Sequence, residues 1–293
     1  FNYYYGLSLD TSFTGEDNLN VVLETGNTVS TGGVNVARIL DFGSSNEDAL
    51  KVADINYTRS FGDLTVQFGD SLDASSQFAG ACAYSGFTDH LADCGTGLSA
   101  GLGGDVTLST SYDIGNGFTA GFGITGYQGS GTEGILTSES MDAFGAQLAY
   151  NADNYGLAVS FSDIDSTDAA VTGVGEDNSI WGINGYYSIG SGPIDSISVG
   201  VESANNDIAF GHDTFNWFAG VTTTEIGPGT FGFGVGTAGH TGEDVEDSHV
   251  YEASYSWDVN DATSMTLGGY MKEQNGTNIE DLTGIALTTT FSF

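Results

Sequence analysis

Apolar side chains fall at every second position along most of this chain, and that spacing restricts it to extended strands with two unlike faces. Phe1, Tyr3, Tyr5, Leu7 and Leu9 alternate with Asn2, Tyr4, Gly6, Ser8 and Asp10. The same beat returns in Val106, Leu108, Thr110, Tyr112 and Ile114 against Asp105, Thr107, Ser109, Ser111 and Asp113. Tyr155, Leu157, Val159 and Phe161 repeat it, as do Ile285, Leu287, Thr289, Phe291 and Phe293 at the C-terminus. No stripe of helical period competes with it. The pattern predicts strands over 2–12, 18–27, 50–60, 64–71, 104–114, 118–127, 141–151, 155–163, 179–189, 194–203, 214–225, 230–238, 248–257, 263–272 and 281–293.

The links between these strands alternate in length. Tight ones, such as Thr14-Gly15-Glu16-Asp17, Gly62-Asp63, Gly115-Asn116-Gly117 and Gly227-Pro228-Gly229, carry the residues that sharp turns require. The others, 28–49, 72–103, 128–140, 164–178 and 239–247, are longer, acidic and rich in Gly, Ser and Thr.

Composition removes several classes. Four Lys and Arg against 39 Asp and Glu give a net charge of −35, so a general nucleic-acid partner is excluded. No apolar run approaches the roughly 18–20 residues of a membrane-spanning helix. With 18 Phe, 14 Tyr and 3 Trp the chain is too aromatic to be a solvated coil.

Alternation alone suits a soluble sandwich as well as a barrel, since either hides one face of each strand. Three features favour the barrel. The polar face is often small (Gly, Ser, Thr, Asn), as a wall lining water would be. Aromatic residues gather near strand ends, at Tyr3, Tyr150, Tyr155, Tyr187, Trp217, Tyr255, Trp257 and Phe293, where bilayer meets water. Short turns alternate with long loops, as in outer-membrane barrels. The expected fold class is therefore all-β: a transmembrane, antiparallel, up-and-down β-barrel of porin type, forming one domain over residues 1–293. A soluble acidic β-sandwich of surface-layer or adhesion type is the rival from another class.

Fifteen strands is an odd number, and such barrels close with an even one. If the tight turns share one rim, 2–12 and 281–293 run the same way and both flank the closure. Sixteen strands are expected, the first of them preceding Phe1.

Asp10-Thr11-Ser12-Phe13-Thr14-Gly15-Glu16-Asp17-Asn18-Leu19, followed by Val21 to Asn27, resembles the DTSFTG segment of cyanobacterial Som-type outer-membrane porins, which are related to carbohydrate-selective porins. Residues 51–69 are similar to that family's next hairpin, and Phe293 suits the terminal aromatic residue read during barrel assembly. The resemblance implies a location in the cell outer membrane among lipid and lipopolysaccharide, and a homotrimer. It also implies an N-terminal surface-layer-homology domain, upstream of the first strand, that binds periplasmic cell-wall material. The chain departs from it at Asn18, Asn20 and Glu24, where those relatives carry Arg or Lys.

The implied function is passive diffusion of small hydrophilic solutes and inorganic ions; a substrate-specific channel for sugar or iron is the alternative. Loop 72–103 is the longest link, and by analogy with sixteen-stranded porins it folds inward as a constriction carrying Asp73, Asp89, His90 and Asp93. Its cysteines, Cys82 and Cys94, are an isolated pair in an exported protein and are expected to form a disulfide. Parity places Asp10, Glu24, Asp54, Asp105 and Asp113 on the pore wall, and acidic rings favour cations. Arg59 lies near a turn and Lys272 near an outer loop, so no basic ladder is expected to oppose them. Small positions around Ala143 to Gly145 are expected to face outward, between protomers.

Other motifs carry little. Gly121-Phe122-Gly123-Ile124-Thr125-Gly126 matches a dinucleotide fingerprint, but no helix follows it. Asp163, Asp165 and Asp168 lack the spacing of a calcium loop, and His212, His240 and His249 lack metal-ligand spacing. Strand glycines are read as giving curvature and pore volume. No nucleophile–base set is present, so neither enzymatic activity nor a cofactor is expected.

Overall fold

The structure is a computed structural model. It describes residues 2–27, 39–40, 49–127, 131, 134–137, 140, 142–164, 178–205, 213–239, 241–242, 246–274 and 280–293.

The strands are β1 (Tyr4–Thr11), β2 (Asp17–Gly26), β3 (Lys51–Phe61), β4 (Leu64–Asp73), β5 (Gly103–Gly115), β6 (Phe118–Gly126), β7 (Asp142–Asn151) and β8 (Tyr155–Ile164). They continue as β9 (Asn178–Ser188), β10 (Ile194–Ala204), β11 (Thr214–Thr223), β12 (Gly229–Thr237), β13 (Thr241–Gly242), β14 (His249–Asn260), β15 (Thr263–Lys272) and β16 (Leu282–Phe291). All fifteen expected strands are present within a few residues of their predicted bounds. The addition, β13, is a two-residue pairing beside β11. Every long strand pairs antiparallel with its neighbours in chain order, giving one continuous sheet in up-and-down order. A single sheet is not a sandwich of two, so that rival falls. β1 and β16 run in the same direction, and among the described residues no pairing joins them.

Between them the strands place apolar groups on the outside. Phe144, Ala146 and Leu148 are exposed while Ala143, Gly145, Gln147 and Ala149 are buried, and β8 repeats the alternation. Leu157 is 52% exposed, whereas Ser160 and Ser162 on the opposite face are 3% and 0%. The inversion runs around the sheet, through Phe68, Leu108, Tyr112, Phe122, Trp181, Ile183, Val199, Phe215, Phe233 and Leu267, all exposed. Ring contacts mark both ends of this belt. At the turn rim Tyr150 sits 4.6 Å from Phe118 and 5.8 Å from Tyr155, and Tyr255 lies between Phe231 and Trp257. At the loop rim Phe161 lies 4.7 Å from Trp181, and Trp217 5.9 Å from His249.

The inner face is covered by the 74–102 loop. Fifteen strands laid flat would span about 70 Å at the usual ~4.8 Å spacing. This one loop nonetheless touches the inner side of strands from β5 to β15, so the sheet is curled around it. Small apolar clusters seal the contact: Ala74 and Leu102 with Ala143, Ile164, Ile180 and Ala204; Ala81 with Ala149 and Ala158; Tyr84, Leu91 and Cys94 with Phe218 and Val250. Two expectations are corrected here. Ala143 and Gly145 face inward, because the loop needs their lack of bulk; a Cβ on Gly145 would meet the Leu102 side chain at 2.5 Å. The strand glycines serve the loop as well as curvature. A Cβ at Gly121 would collide with Phe78, at Gly220 with Tyr84, at Gly236 with Leu91 and at Gly268 with Phe87.

Candidate functional site: a loop-lined passage

The loop leaves β4 at Asp73, runs along the inner wall as far as β15, and returns to β5. Its two legs are joined by the Cys82–Cys94 disulfide, across Cα atoms 5.9 Å apart, as the sequence predicted. A 3-10 segment over Asp89–Gly95, broken at Ala92, makes the far bend. Asp93 and Cys94 turn the chain there with φ of 44° and 50°.

Two buried carboxylates hold the loop to the wall. Glu252 on β14 accepts from the Tyr84 hydroxyl and from the Phe87 and Thr88 backbone N–H groups, each at 2.7 Å. Glu202 on β10, 1% exposed, accepts from the Ser99 N–H at 2.6 Å and the Leu98 N–H at 3.2 Å. Hydrogen bonds to a charged acceptor are about twice as strong as neutral ones. Neutral contacts fill the interval: the Gly80 N–H donates to Gln147, Ala81 N–H to Asn184, Ala83 N–H to the Ser198 hydroxyl, and Asn216 donates to the Gly95 carbonyl. Neither Glu202 nor Glu252 was singled out from sequence. The available signal was an acid on the inner parity of a strand whose other inner residues are small.

An uncovered part of the inner face lies on β1 to β3, with Gln67 of β4 at its margin under the loop. A chain of side-chain amides crosses it. Ser76 and Gln77 of the loop donate to Gln67, Gln67 donates to Asn56 at 2.8 Å, and Asn56 donates to Asp54 and Asn20. Asn20 donates to Ser8 and Asp10, and Asn18 donates to Asp10 at 2.8 Å. The carboxylates in this chain, Asp10 and Asp54, accept from Asn18, Asn20 and Asn56.

The residues singled out from sequence are distributed as follows. Asp10 and Asp54 lie together on this wall. Glu24 is also there, but it forms an ion pair with Lys51 at 2.7 Å and accepts from Tyr4. Asp105 shares the inner parity of Thr107, which donates to the Leu72 carbonyl. Asp113 is at the turn rim, where its carboxylate accepts from the Gly115 N–H. Asp73 and Asp89 approach each other; burial, then the Asp73 charge, raises the Asp89 carboxyl above the ordinary carboxylate range. Asp93 contributes its carbonyl, which accepts from Asn184 and Thr96. His90 receives a hydrogen bond from Lys272, Nζ to Nε2 2.8 Å. Lys272 closes β15 beside an outer loop, as expected, and its side chain reaches the far bend of the 74–102 loop. His249 at the loop rim contacts Glu273 at 2.8 Å, whereas His212, His240, Asp165 and Asp168 lie outside the described residues. Gly121 to Gly126 lie within β6, a strand leading to no described helix.

No protein-family model and no curated protein sequence matches the chain. Solved structures do. The chain is similar to a porin refined at 1.8 Å resolution, with TM-score 0.59 and 16% identity over 98% of this chain and 91% of the other. It is similar to the anion-selective porin of Comamonas acidovorans, with TM-score 0.64 and 16% identity over 99% and 89%. A variant of the Rh. blastica porin gives TM-score 0.57 and 12% identity over 100% and 90%. The architecture this chain adopts is thus the porin fold: an antiparallel up-and-down β-structure wrapped around an inward loop.

Proposed function

We propose that the protein is an outer-membrane porin for passive diffusion of small hydrophilic solutes and inorganic ions, with a preference for cations. One observation carries the reading: the sheet turns its large apolar residues outward and its polar residues toward the loop. Hydrocarbon tolerates such a wall because strand pairing satisfies the backbone. The passage lies between the β1–β4 wall and the loop, and Asp10, Asp54, Asp73 and Asp89 are the acids that bias it. Of the four Lys and Arg in the chain, Lys51 is paired with Glu24. A narrow acidic channel with low-dielectric walls concentrates cations. The reading needs neither catalysis nor a cofactor.

The finer assignment, to cyanobacterial Som-type porins, rests on residues 10–27 and 51–69, and brings with it the homotrimer and the periplasmic cell-wall anchor. The parallel edges of β1 and β16 support closure by one further strand, antiparallel to both, giving sixteen. Reconstitution in planar bilayers across a KCl gradient tests the function. Stepwise conductance with a cation-selective reversal potential is expected; anion selectivity would overturn the electrostatic part, and absence of conductance the whole.

A further inference from the structure

Lysine is donor-only, so at 2.8 Å from Lys272 Nζ the Nε2 atom of His90 must be the bare nitrogen of a neutral ring with its proton on Nδ1. A protonated His90 would present a second donor to the same ammonium, and the contact could not persist. The contact sits at the far bend of the loop, where β15 meets it. Among the described residues, the charged groups facing it are few. Lys272 comes from β15. Asp89, on the loop itself, has Asp73 at the end of β4 as its neighbour. Glu252 from β14 is engaged by Tyr84, Phe87 and Thr88, and Glu273, next to Lys272, is engaged by His249. The ring therefore faces the Lys272 cation directly.

Resting on the channel reading above, we infer that the His90–Lys272 contact is a proton-operated latch: protonation of His90 adds a second positive charge at the constriction, parts the far bend from β15, and lowers the preference for cations. Burial and the Lys272 charge both oppose protonation, holding His90 down to about 4, so the latch stays closed at neutral pH and opens in acid.

The test is the reversal potential of the reconstituted protein in a KCl gradient, from about pH 7 down to about pH 3.5, for wild type, His90→Gln and Lys272→Met. The Gln amide can still accept from Lys272 but does not titrate. Acid neutralises the carboxylates of all three proteins alike, so the difference between them isolates the latch. The cation-to-anion permeability ratio is expected to fall about twofold further in wild type than in His90→Gln. In Lys272→Met the ratio starts higher and its histidine step moves to higher pH, because one of the two influences depressing it is gone. Superimposable pH curves for wild type and His90→Gln would overturn the inference, as would an unmoved step in Lys272→Met, which decides the matter if His90→Gln does not fold. A wild type that does not conduct would defeat the channel reading instead, so the two failures are distinct.

Discussion

At the scale of single residues, the inner wall is governed by what each side chain leaves room for. Gly200 faces the carbonyl of Cys94 so closely that a Cβ would overlap it. Gly200→Ala is therefore expected to push the loop off the wall at a cost of about 1–3 kcal/mol. The readouts are a lower transition temperature for the heat-modifiable gel band and a larger single-channel conductance. Glu252→Ala is expected to cost about 3 kcal/mol, since two loop N–H groups and the Tyr84 hydroxyl lose a buried acceptor. The same two measurements check it. His90 adds a dependence on pH. Its folded value of about 4 lies below the ordinary 6.5, so between those limits the unfolded chain binds the proton more readily. Its contribution to stability is thus complete above about 6.5 and is lost as pH falls toward 4. Asp89, raised by burial, acts in the opposite sense: its share is present in acid and fades as pH rises above its ordinary value. Denaturation midpoints for wild type and His90→Gln across this window separate the two, with the variant showing the weaker acid sensitivity.

For the strands and the loop, legibility divides by the range of the interactions involved. Strands such as Asp142–Asn151 and Tyr155–Ile164 were readable because outward-facing and loop-side residues alternate within the strand itself. Tight turns were readable because Gly15, Gly62, Gly117 and Gly227 adopt positive φ that other residues resist. The course of the loop was not readable, since it depends on partners up to 182 residues away, as in His90 to Lys272. Yet a signal existed. The inner parity of β6 to β15 carries Gly121, Gly123, Gly145, Gly182, Gly200, Gly220, Gly234 and Gly268, each close to the loop or to a side chain beneath it. The inner parity of β1 to β3 carries Asp10, Asn18, Asn20, Glu24, Asp54 and Asn56 instead. Small residues mark the covered arc and amides the open one. The direction of Lys272 escaped for the same reason: nothing local says that His90 lies across from the end of β15. At this scale the disulfide spans a separation of 12 residues and, in the chain-entropy model, contributes about 3 kcal/mol by restricting the unfolded chain. Reduction, or Cys82→Ser with Cys94→Ser, is expected to leave the barrel folded, lower its denaturation midpoint accordingly, and increase open-channel current noise as the far bend loosens.

For the molecule as a whole, the arrangement inverts a soluble protein. Its exposed belt of Phe, Leu, Ile, Val, Tyr and Trp is far larger than the few hundred Å² of apolar patch that water-soluble monomers tolerate. The buried residues are largely Ser, Thr, Asn, Gln and Ala pressed against one loop. The three tryptophans, Trp181, Trp217 and Trp257, share outward positions in register with Phe161, Val201 and Met265. They report directly on what surrounds the wall. Tryptophan fluorescence of the protein reconstituted in vesicles with brominated acyl chains tests the claim that the apolar face meets lipid. The account predicts strong quenching by the lipid bromines and weak quenching by iodide in the water. Emission untouched by brominated lipid but quenched by iodide would contradict it.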